Sequence, residues 1–252
     1  MINTQITSTY AIKVVSRRPL TQDGTLPLAL MLLTVVTGLV DAVSFLGLGR
    51  IFTANMTGNV VFLAFAVAGA PGLSISRSLT SLIAFLLGAI LGGRLAVTLA
   101  ATSRRRWLVT VAVAEAGLLF VAALVLVGVD IASEKSSAVY IVIILTAVAM
   151  GLRNATVRRL AVPDLNTTVL TMTLTGLAAD SALSGGSNPR IARRVASVLL
   201  MFIGAAIGVL LLRFSLSLPF VISGALVLLA ASVFATALNP RAAADGNGSI
   251  GH

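Results

Sequence analysis

The sequence predicts an all-α polytopic membrane protein, and its composition, its long apolar runs and an internal repeat all point to that class. Of its 252 residues, 58% are hydrophobic and only 10% are charged, and the mean hydropathy is +1.04. A soluble domain carries about 25% charged residues. Apolar runs recur that could cross a hydrocarbon layer of about 30 Å as helices of roughly 20 residues. A β-barrel would instead show short alternating segments.

Eight apolar segments define one transmembrane domain, residues 26–237, between a polar cytoplasmic tail, residues 1–25, and a disordered tail, residues 238–252. The second and sixth segments are the shortest and carry clusters of Thr and Asn. The halves of the domain are residues 26–128 and 138–237. In chain order the segments are 26–46, 55–70, 79–101, 107–128, 138–157, 166–182, 195–212 and 215–237.

An internal repeat relates the two halves. "SLIAFLLGAILGGRL" begins at Ser81 and "SVLLMFIGAAIGVLL" begins at Ser197, 116 positions later, and the same offset relates the Met-Thr pairs of the second and sixth segments. Upstream, "GLVDA" and "GLRNA" match at an offset of 113, so that Asp41 and Asn154 occupy equivalent positions. The order of the matches is the same in both halves, which predicts two copies of one fold.

Basic residues favour six full spans over eight. If all eight segments cross and the N-terminus is cytoplasmic, Arg104–Arg106, Arg158 and Arg159 fall outside, against the positive-inside rule. If segments two and six are broken or re-entrant, these residues and both termini lie inside. Each half then has three spans, so the repeat is inverted. The alternative is eight spans with parallel halves.

Several function classes are excluded by composition. The chain has no cysteine, and its one histidine is the last residue, which removes thiol chemistry and His-ligated metal sites. We therefore expect no enzyme activity, no cofactor and no metal. The net charge of +10 is explained by the loops between spans, so nucleic-acid binding is not expected. The expected partners are the lipid bilayer and a small-molecule solute, and a homo-oligomer is compatible with the pattern.

Two stretches resemble a known family. "GLVDAVSFLGLGRIFTANMTGNVVFLAFAVAG" and "GLRNATVRRLAVPDLNTTVLTMTLTGLAAD" are similar to the YoaK-like family of bacterial integral membrane proteins, and the resemblance covers roughly residues 27–237. The motifs "ANMTGN" and "TVLTMTLTG" carry it. The resemblance implies a multi-pass protein of the bacterial inner membrane, and it supplies no substrate.

The Thr/Asn clusters are the candidate binding site. Polar side chains alternate in both short segments, which suits an extended stretch with one face toward a watery cavity, followed by a helix. Two half-helices with Thr or Asn near their N-termini would direct partial positive charge to the membrane midplane, where an anion or carboxylate could bind. Alternatively, these side chains only hold helices together. The candidate substrate-binding residues are Thr53, Asn55, Thr57, Asn59, Asn154, Thr171, Thr173 and Thr175.

Ionisable residues inside spans are costly and default to functional hypotheses. Asp41 is the candidate for a coupling carboxylate, with a structural capping acid as the alternative. Arg94 and Glu115 are expected to form a structural ion pair, with a gating role as the alternative, because both lie about two turns from the cytoplasmic ends of consecutive antiparallel helices. Arg153, near Arg158 and Arg159, is expected to snorkel to the cytoplasmic surface, with binding of an anionic substrate as the alternative.

The leading hypothesis is a secondary transporter of a small, anionic solute. The site would lie between the two discontinuous segments. A channel could use the same cavity without coupling. A membrane scaffold or assembly protein would instead keep the Thr/Asn clusters dry.

Overall fold

The computed structural model describes residues 25–127, 137–161 and 170–237, and these ranges are helical with short connections. Of the predicted tails, residues 1–24 and 238–252 lie outside the described residues, and residue 25 begins α1. A short 3-10 turn, Ala182–Ser184, follows the sixth helix. The helices in the described ranges are α1 (Thr25–Gly47), α2 (Met56–Val67), α3 (Ile75–Ala100), α4 (Arg104–Val125), α5 (Ser137–Leu160), α6 (Thr171–Ala179), α7 (Ile191–Leu212) and α8 (Leu218–Ala237).

Six of these helices are long and apolar enough to cross a membrane, which confirms the prediction of an all-α polytopic membrane protein. The other two, α2 and α6, have 12 and 9 residues. At 1.5 Å per residue they are about 18 Å and 14 Å long, too short to cross the hydrocarbon layer alone. They coincide with the second and sixth apolar segments, so within the described residues the eight-span alternative lacks the two long helices that it needs.

Local sequence determines where several helices begin. The side chains of Asn55, Ser74 and Ser103 each precede a helix and accept a hydrogen bond from the backbone N–H three residues later. Such caps satisfy N–H groups that have no partner within the helix. At the other end of α2, Gly69 adopts a positive φ of 84°, which allows the chain to leave the helix and turn toward α3.

Glycines bring α3 and α5 into backbone contact. A Cβ atom on Gly88 would collide with the carbonyl group of Val148, and one on Gly92 would lie 2.8 Å from the carbonyl oxygen of Leu152. On the facing helix, Gly151 packs in the same way against the backbone of α3. Because later residues of α3 meet later residues of α5, the two helices run parallel. This interface is the close, small-residue packing typical of membrane helices.

The same arrangement joins α1 and α7. A Cβ atom on Gly204 would collide with the carbonyl group of Val35, and one on Gly208 would lie 3.1 Å from the carbonyl oxygen of Leu39. Gly38 packs in turn against the backbone of α7. These residues correspond to those of the α3–α5 interface at the sequence offsets of 116 and 113. The repeat therefore relates two interfaces, in each of which a helix of one half packs on a helix of the other.

The remaining contacts complete the bundle. α4 packs on α8 and α5, α8 also packs on α1, and the short helices α2 and α6 lie against α3 and α7 respectively. Gly47, at the end of α1, lies beside Leu216 just before α8, so α1 and α8 run antiparallel. Gly224, early in α8, lies beside Phe120, late in α4, so these two helices are also antiparallel.

Candidate functional site

A cleft of about 440 Å³ lies between the beginnings of α2 and α6. Asn55 and Thr57 line it from α2, and Thr171 lines it from α6. Its wall also includes Met201, near the middle of α7. The structure thus brings together the first turns of the two short helices, one from each half of the chain. The remaining lining residues are Gly58, Val61, Phe62, Leu170 and Leu174.

The predicted extended conformation of the Thr/Asn clusters is wrong for most of their residues. Thr53 and Asn55 precede α2, but the helix begins at Met56 and therefore contains Thr57 and Asn59. Positions two apart in a helix are about 200° apart around its axis. Alternate side chains consequently face different surroundings, with one side of the helix directed into the cleft and another into the protein.

Asn59 is fully buried and does not line the cleft. Its Oδ1 accepts a hydrogen bond from the backbone N–H of Phe52 at 2.8 Å, and its Nδ2 donates to the carbonyl of Phe52 and to Oγ of Ser81 at 3.1 Å. The Ser81 hydroxyl also donates to the Phe52 carbonyl at 2.7 Å. Asn59 therefore ties the chain before α2 to α3. Thr53 is buried as well, and its hydroxyl has no partner among the described residues.

Asp41, in α1, contacts the chain just before the start of α2. It is 6% exposed, and its Oδ1 accepts a hydrogen bond from the N–H of Ala54 at 3.1 Å. The N–H groups of Thr53 and Asn55 are directed at the same carboxyl group. A carboxylate at this position complements the N-terminal end of α2. The geometry gives Asp41 a structural role, and its role as a coupling carboxylate stays a prediction.

The start of α6 is built differently from that of α2. Its N-cap residue, Leu170, supplies no side-chain hydrogen bond. Thr171 is exposed toward the cleft, whereas Thr173, which is buried, and Thr175 line a second cavity of about 350 Å³. Asp180 and Arg194 also line that second cavity. The predicted threonine cluster is thus divided between two cavities.

Arg194, in the first turn of α7, holds the other end of α6. Its Nη1 donates to the carbonyl oxygen of Gly176 at 2.6 Å and to Oδ2 of Asp180 at 2.8 Å. The residue is 6% exposed. The contact between Arg194 and Asp180 was not predicted from the sequence. The available signal was an arginine placed at the edge of an apolar segment, close to the end of the helix before it.

The predicted ion pair between Arg94 and Glu115 is wrong. Arg94 is exposed on α3, whereas Glu115, at 1% exposed, pairs with Arg153. Arg153 is also 1% exposed, so the prediction that it snorkels to the surface is wrong as well. Its Nη1 donates to the carbonyl oxygen of Leu33 at 2.9 Å and to the hydroxyl of Thr37 at 3.0 Å. Arg153 therefore connects α5 to both α4 and α1.

Asn154, the neighbour of Arg153, is half-buried and is not among the residues that line the cleft. Its Nδ2 donates to the carbonyl oxygen of Met150 at 2.9 Å, one turn earlier in α5. Asn154 is the repeat equivalent of Asp41. The second half therefore has a neutral amide where the first half has an acidic side chain. Of the predicted substrate-binding residues, the structure brings Asn55, Thr57 and Thr171 together in the cleft.

The family is established by comparison with known proteins. A family model described as "Protein of unknown function (DUF1275)" matches residues 29–234. The UPF0700 transmembrane protein YoaK of Bacillus subtilis (strain 168) is 38% identical over 152 residues, which cover 60% of this chain and 65% of YoaK. The match therefore spans just under two thirds of the length of YoaK. No solved structure matches the chain. The chain belongs to the DUF1275 family, which confirms the resemblance to YoaK-like proteins.

Proposed function

We propose that this member of the DUF1275 family is a secondary transporter of a small, anionic solute, which binds in the cleft between α2 and α6. One observation carries the proposal. The first turns of two short helices, one from each half of the chain, line the same cleft. Ligand pockets for small molecules typically have volumes of about 300–1,000 Å³, and the cleft, at about 440 Å³, falls within that range.

The chemistry of the cleft favours an anion. The N-terminal end of a helix carries partial positive charge and directs N–H groups outward. Thr57 and Thr171 add hydroxyl groups, and Asn55 adds an amide. The apolar part of the wall, from Val61, Phe62 and Leu174, would pack against the carbon skeleton of a solute. A small carboxylate satisfies both parts of this lining.

The depth of the cleft supports a transport role. Met201 lies near the middle of α7, and its carbonyl group packs against Gly38 in the middle of α1. The first turns of α2 and α6 therefore line a cleft at the depth of the middles of α1 and α7, where non-helical backbone is tolerated only within protein or beside water. Discontinuous helices that meet near the midplane are the binding elements of many secondary transporters.

Inverted topology of the two halves is part of this proposal. α1 and α7 run parallel to each other and antiparallel to α8, and α4 is antiparallel to α8. α3 and α5 run parallel to each other, and the short connection between α3 and α4 reverses the chain. The equivalent helices α1 and α5, α3 and α7, and α4 and α8 then have opposite directions. The distribution of basic residues supports cytoplasmic termini and an inner-membrane location.

A channel and a scaffold remain the competing functions. A channel would use the same cleft and would need no coupling carboxylate, which fits the structural role of Asp41 described above. A scaffold would need no solute in the cleft at all. Among described carboxyl groups Asp41 is the candidate for coupling, because its partner Ala54 immediately precedes the cleft residue Asn55.

Solute binding tests the proposal. Purified protein would be screened by thermal unfolding against small mono- and dicarboxylates, inorganic phosphate and chloride, since a bound ligand raises the unfolding midpoint. We expect at least one carboxylate to do so, and Thr171→Val to weaken its binding about tenfold, as for the loss of a hydrogen bond to a charged group. Thr175→Val, one turn later and outside the cleft, is the matched control and should bind normally. Absence of any shift, or equal loss in both variants, would contradict the proposal.

Uptake of the identified solute into proteoliposomes, with or without an ion gradient, would then distinguish a carrier from a channel.

A further inference from the structure

Two tightly packed groups of helices meet at the cleft. The first, here called the α1/α7 module, consists of α1, α7 and the attached α6. The second, the α3/α5 module, consists of α3, α5 and the attached α2. Within each module, glycines place backbone against backbone, which leaves no room for the paired helices to slide. The cleft has α2 on one side and α6 and α7 on the other, so it lies at the seam between the modules.

Polar links within the described part of the chain cross this seam. One is the hydrogen bond from the N–H of Ala54, just before α2, to the carboxyl group of Asp41 on α1. The other runs from the guanidinium group of Arg153 on α5 to Thr37 and to the carbonyl of Leu33 on α1. The second link is fully buried, so its formation or loss changes contacts inside the bundle and not at its surface.

The charge of Arg153 is balanced by Glu115, which does not lie across the seam. Glu115 belongs to α4, which packs against α5 and lies outside both modules. If the modules separate and α4 stays packed on α5, Arg153 loses only neutral acceptors on α1 and keeps its carboxylate partner. Separation therefore does not leave an unpaired buried charge, the costly outcome for a buried ion pair. In addition, Nε of Arg153 has no partner among the described residues, so the guanidinium group has unused capacity for a different contact.

From this geometry we infer that Arg153 is a positioning residue that latches the two modules together and releases Thr37 when the cleft opens. The inference rests on the proposed transport function, since it assigns the contact that controls access to the same cleft. Glu115 holds the guanidinium group in place in both arrangements. The hydrogen bonds from Arg153 to Thr37 and to the carbonyl of Leu33 are the contacts that break, and these contacts are here called the latch. The Asp41–Ala54 bond is a second contact across the seam and lies nearer to the cleft.

The test measures access to the cleft and needs no solute. Val61, which lines the cleft and is 43% exposed, would be replaced by cysteine in this chain, which has no other cysteine. A membrane-impermeant maleimide would be applied from either face of the membrane, in intact cells and in inside-out vesicles. The ratio of the two labelling rates, each normalised to the fully denatured protein, reports which side the cleft faces.

Thr37→Val removes one of the two acceptors of Arg153 on α1 and leaves the carbonyl of Leu33. It should change this ratio about tenfold, because a hydrogen bond to a charged group is lost in one state only. Thr34→Val is the matched control. Thr34 is also buried on α1, and its hydroxyl donates to the carbonyl of Leu30 at 2.9 Å within its own helix. Thr37 makes the same kind of local bond to Leu33, at 3.0 Å. We expect an unchanged ratio for Thr34→Val and recovery of the original ratio for Thr37→Ser.

Equal ratios in Thr37→Val and Thr34→Val would overturn the latch. So would failure of Thr37→Ser to recover the original ratio. Because labelling does not depend on a solute, these results stand apart from the binding test of the proposed function. A normal latch without any bound carboxylate would indicate a moving bundle whose solute is of another class.

Discussion

The beginnings of α2 and α6 occupy equivalent places in the two halves, yet they are held by different means. α2 is fixed at its N-terminal end by the Asn55 cap, by the carboxyl group of Asp41 and by the amide of Asn59. Among the described residues, the N-cap residue of α6, Leu170, makes no side-chain hydrogen bond, and α6 is held at its C-terminal end by Arg194. The start of α2 thus has an acidic partner, Asp41, among the described residues. The proposed anion would complement the start of α6 at Thr171.

The equivalent glycine contacts of the two halves should give the largest loss of stability when a larger residue replaces the glycine. Gly38→Ala and Gly151→Ala each place a Cβ atom against the backbone of the facing helix. Overpacking of this kind costs about 3 kcal/mol, because neither helix can move away without opening its interface. We expect losses of similar size from both variants, measured by thermal unfolding in detergent. A loss confined to one of them would break the equivalence of the α1–α7 and α3–α5 interfaces.

Variants of Asp41 and Asn154 compare how much each of these equivalent positions contributes to stability. Asp41→Ala leaves the N–H groups before α2 without their acceptor and should lower the free energy of unfolding by about 2 kcal/mol. Asn154→Ala, which removes the hydrogen bond to the carbonyl oxygen of Met150, should cost about half as much. The comparison is made by unfolding of the two purified variants.

Asp41→Asn keeps an acceptor oxygen, so a loss of uptake with normal stability in that variant would indicate coupling.

A carboxylate can be added at the start of α6, where the described residues include none. Leu170→Asp places a carboxylate at the start of α6, where it would stabilise the helix and occupy the position proposed for the solute. We expect about tenfold weaker binding of an anionic solute, equivalent to roughly 1.4 kcal/mol. Leu170→Asn, which caps without charge, is the control. Equal binding by the two variants would argue that charge at α6 does not matter.

The smallest effect is expected from Asp180. Its side chain is 46% exposed, so its ion pair with Arg194 is partly screened by solvent. Asp180→Asn should lower stability by about 0.5 kcal/mol, since Arg194 keeps its bond to the carbonyl of Gly176. Unfolding in low and high salt would measure it. A loss as large as that of Asp41→Ala would mean that α6 depends on a charge as strongly as α2 does.

The helices could be predicted from sequence because their signals are local. Apolar runs, cap residues and the repeat offset identified every helix in the described ranges, including the two short ones. The offset also related Gly88 to Gly204 correctly as equivalent residues. It could not predict that each packs on a helix of the other half, because a repeat shows which elements correspond and not which elements touch.

The candidate site was predictable only in part. Alternating Thr and Asn suggested one polar face, but the helical backbone from Met56 sends Thr57 into the cleft and Asn59 into the protein. Likewise, distance from the helix ends gave the depths of Arg94 and Glu115 but not the direction in which each side chain points. Rotation about the helix axis is fixed by tertiary packing, which placed Arg153 beside Glu115 instead.

The most direct test of the central claim is the sidedness of two single cysteines. Ser76 lies in the first turn of α3 and Ser187 lies between α6 and α7, and both are exposed. Each follows the short helix of its half. We expect Ser76→Cys to react with a membrane-impermeant maleimide in intact cells, and Ser187→Cys to react only after permeabilisation. Reaction of both from the same side would contradict inverted halves, and with them the transporter built around the α2–α6 cleft.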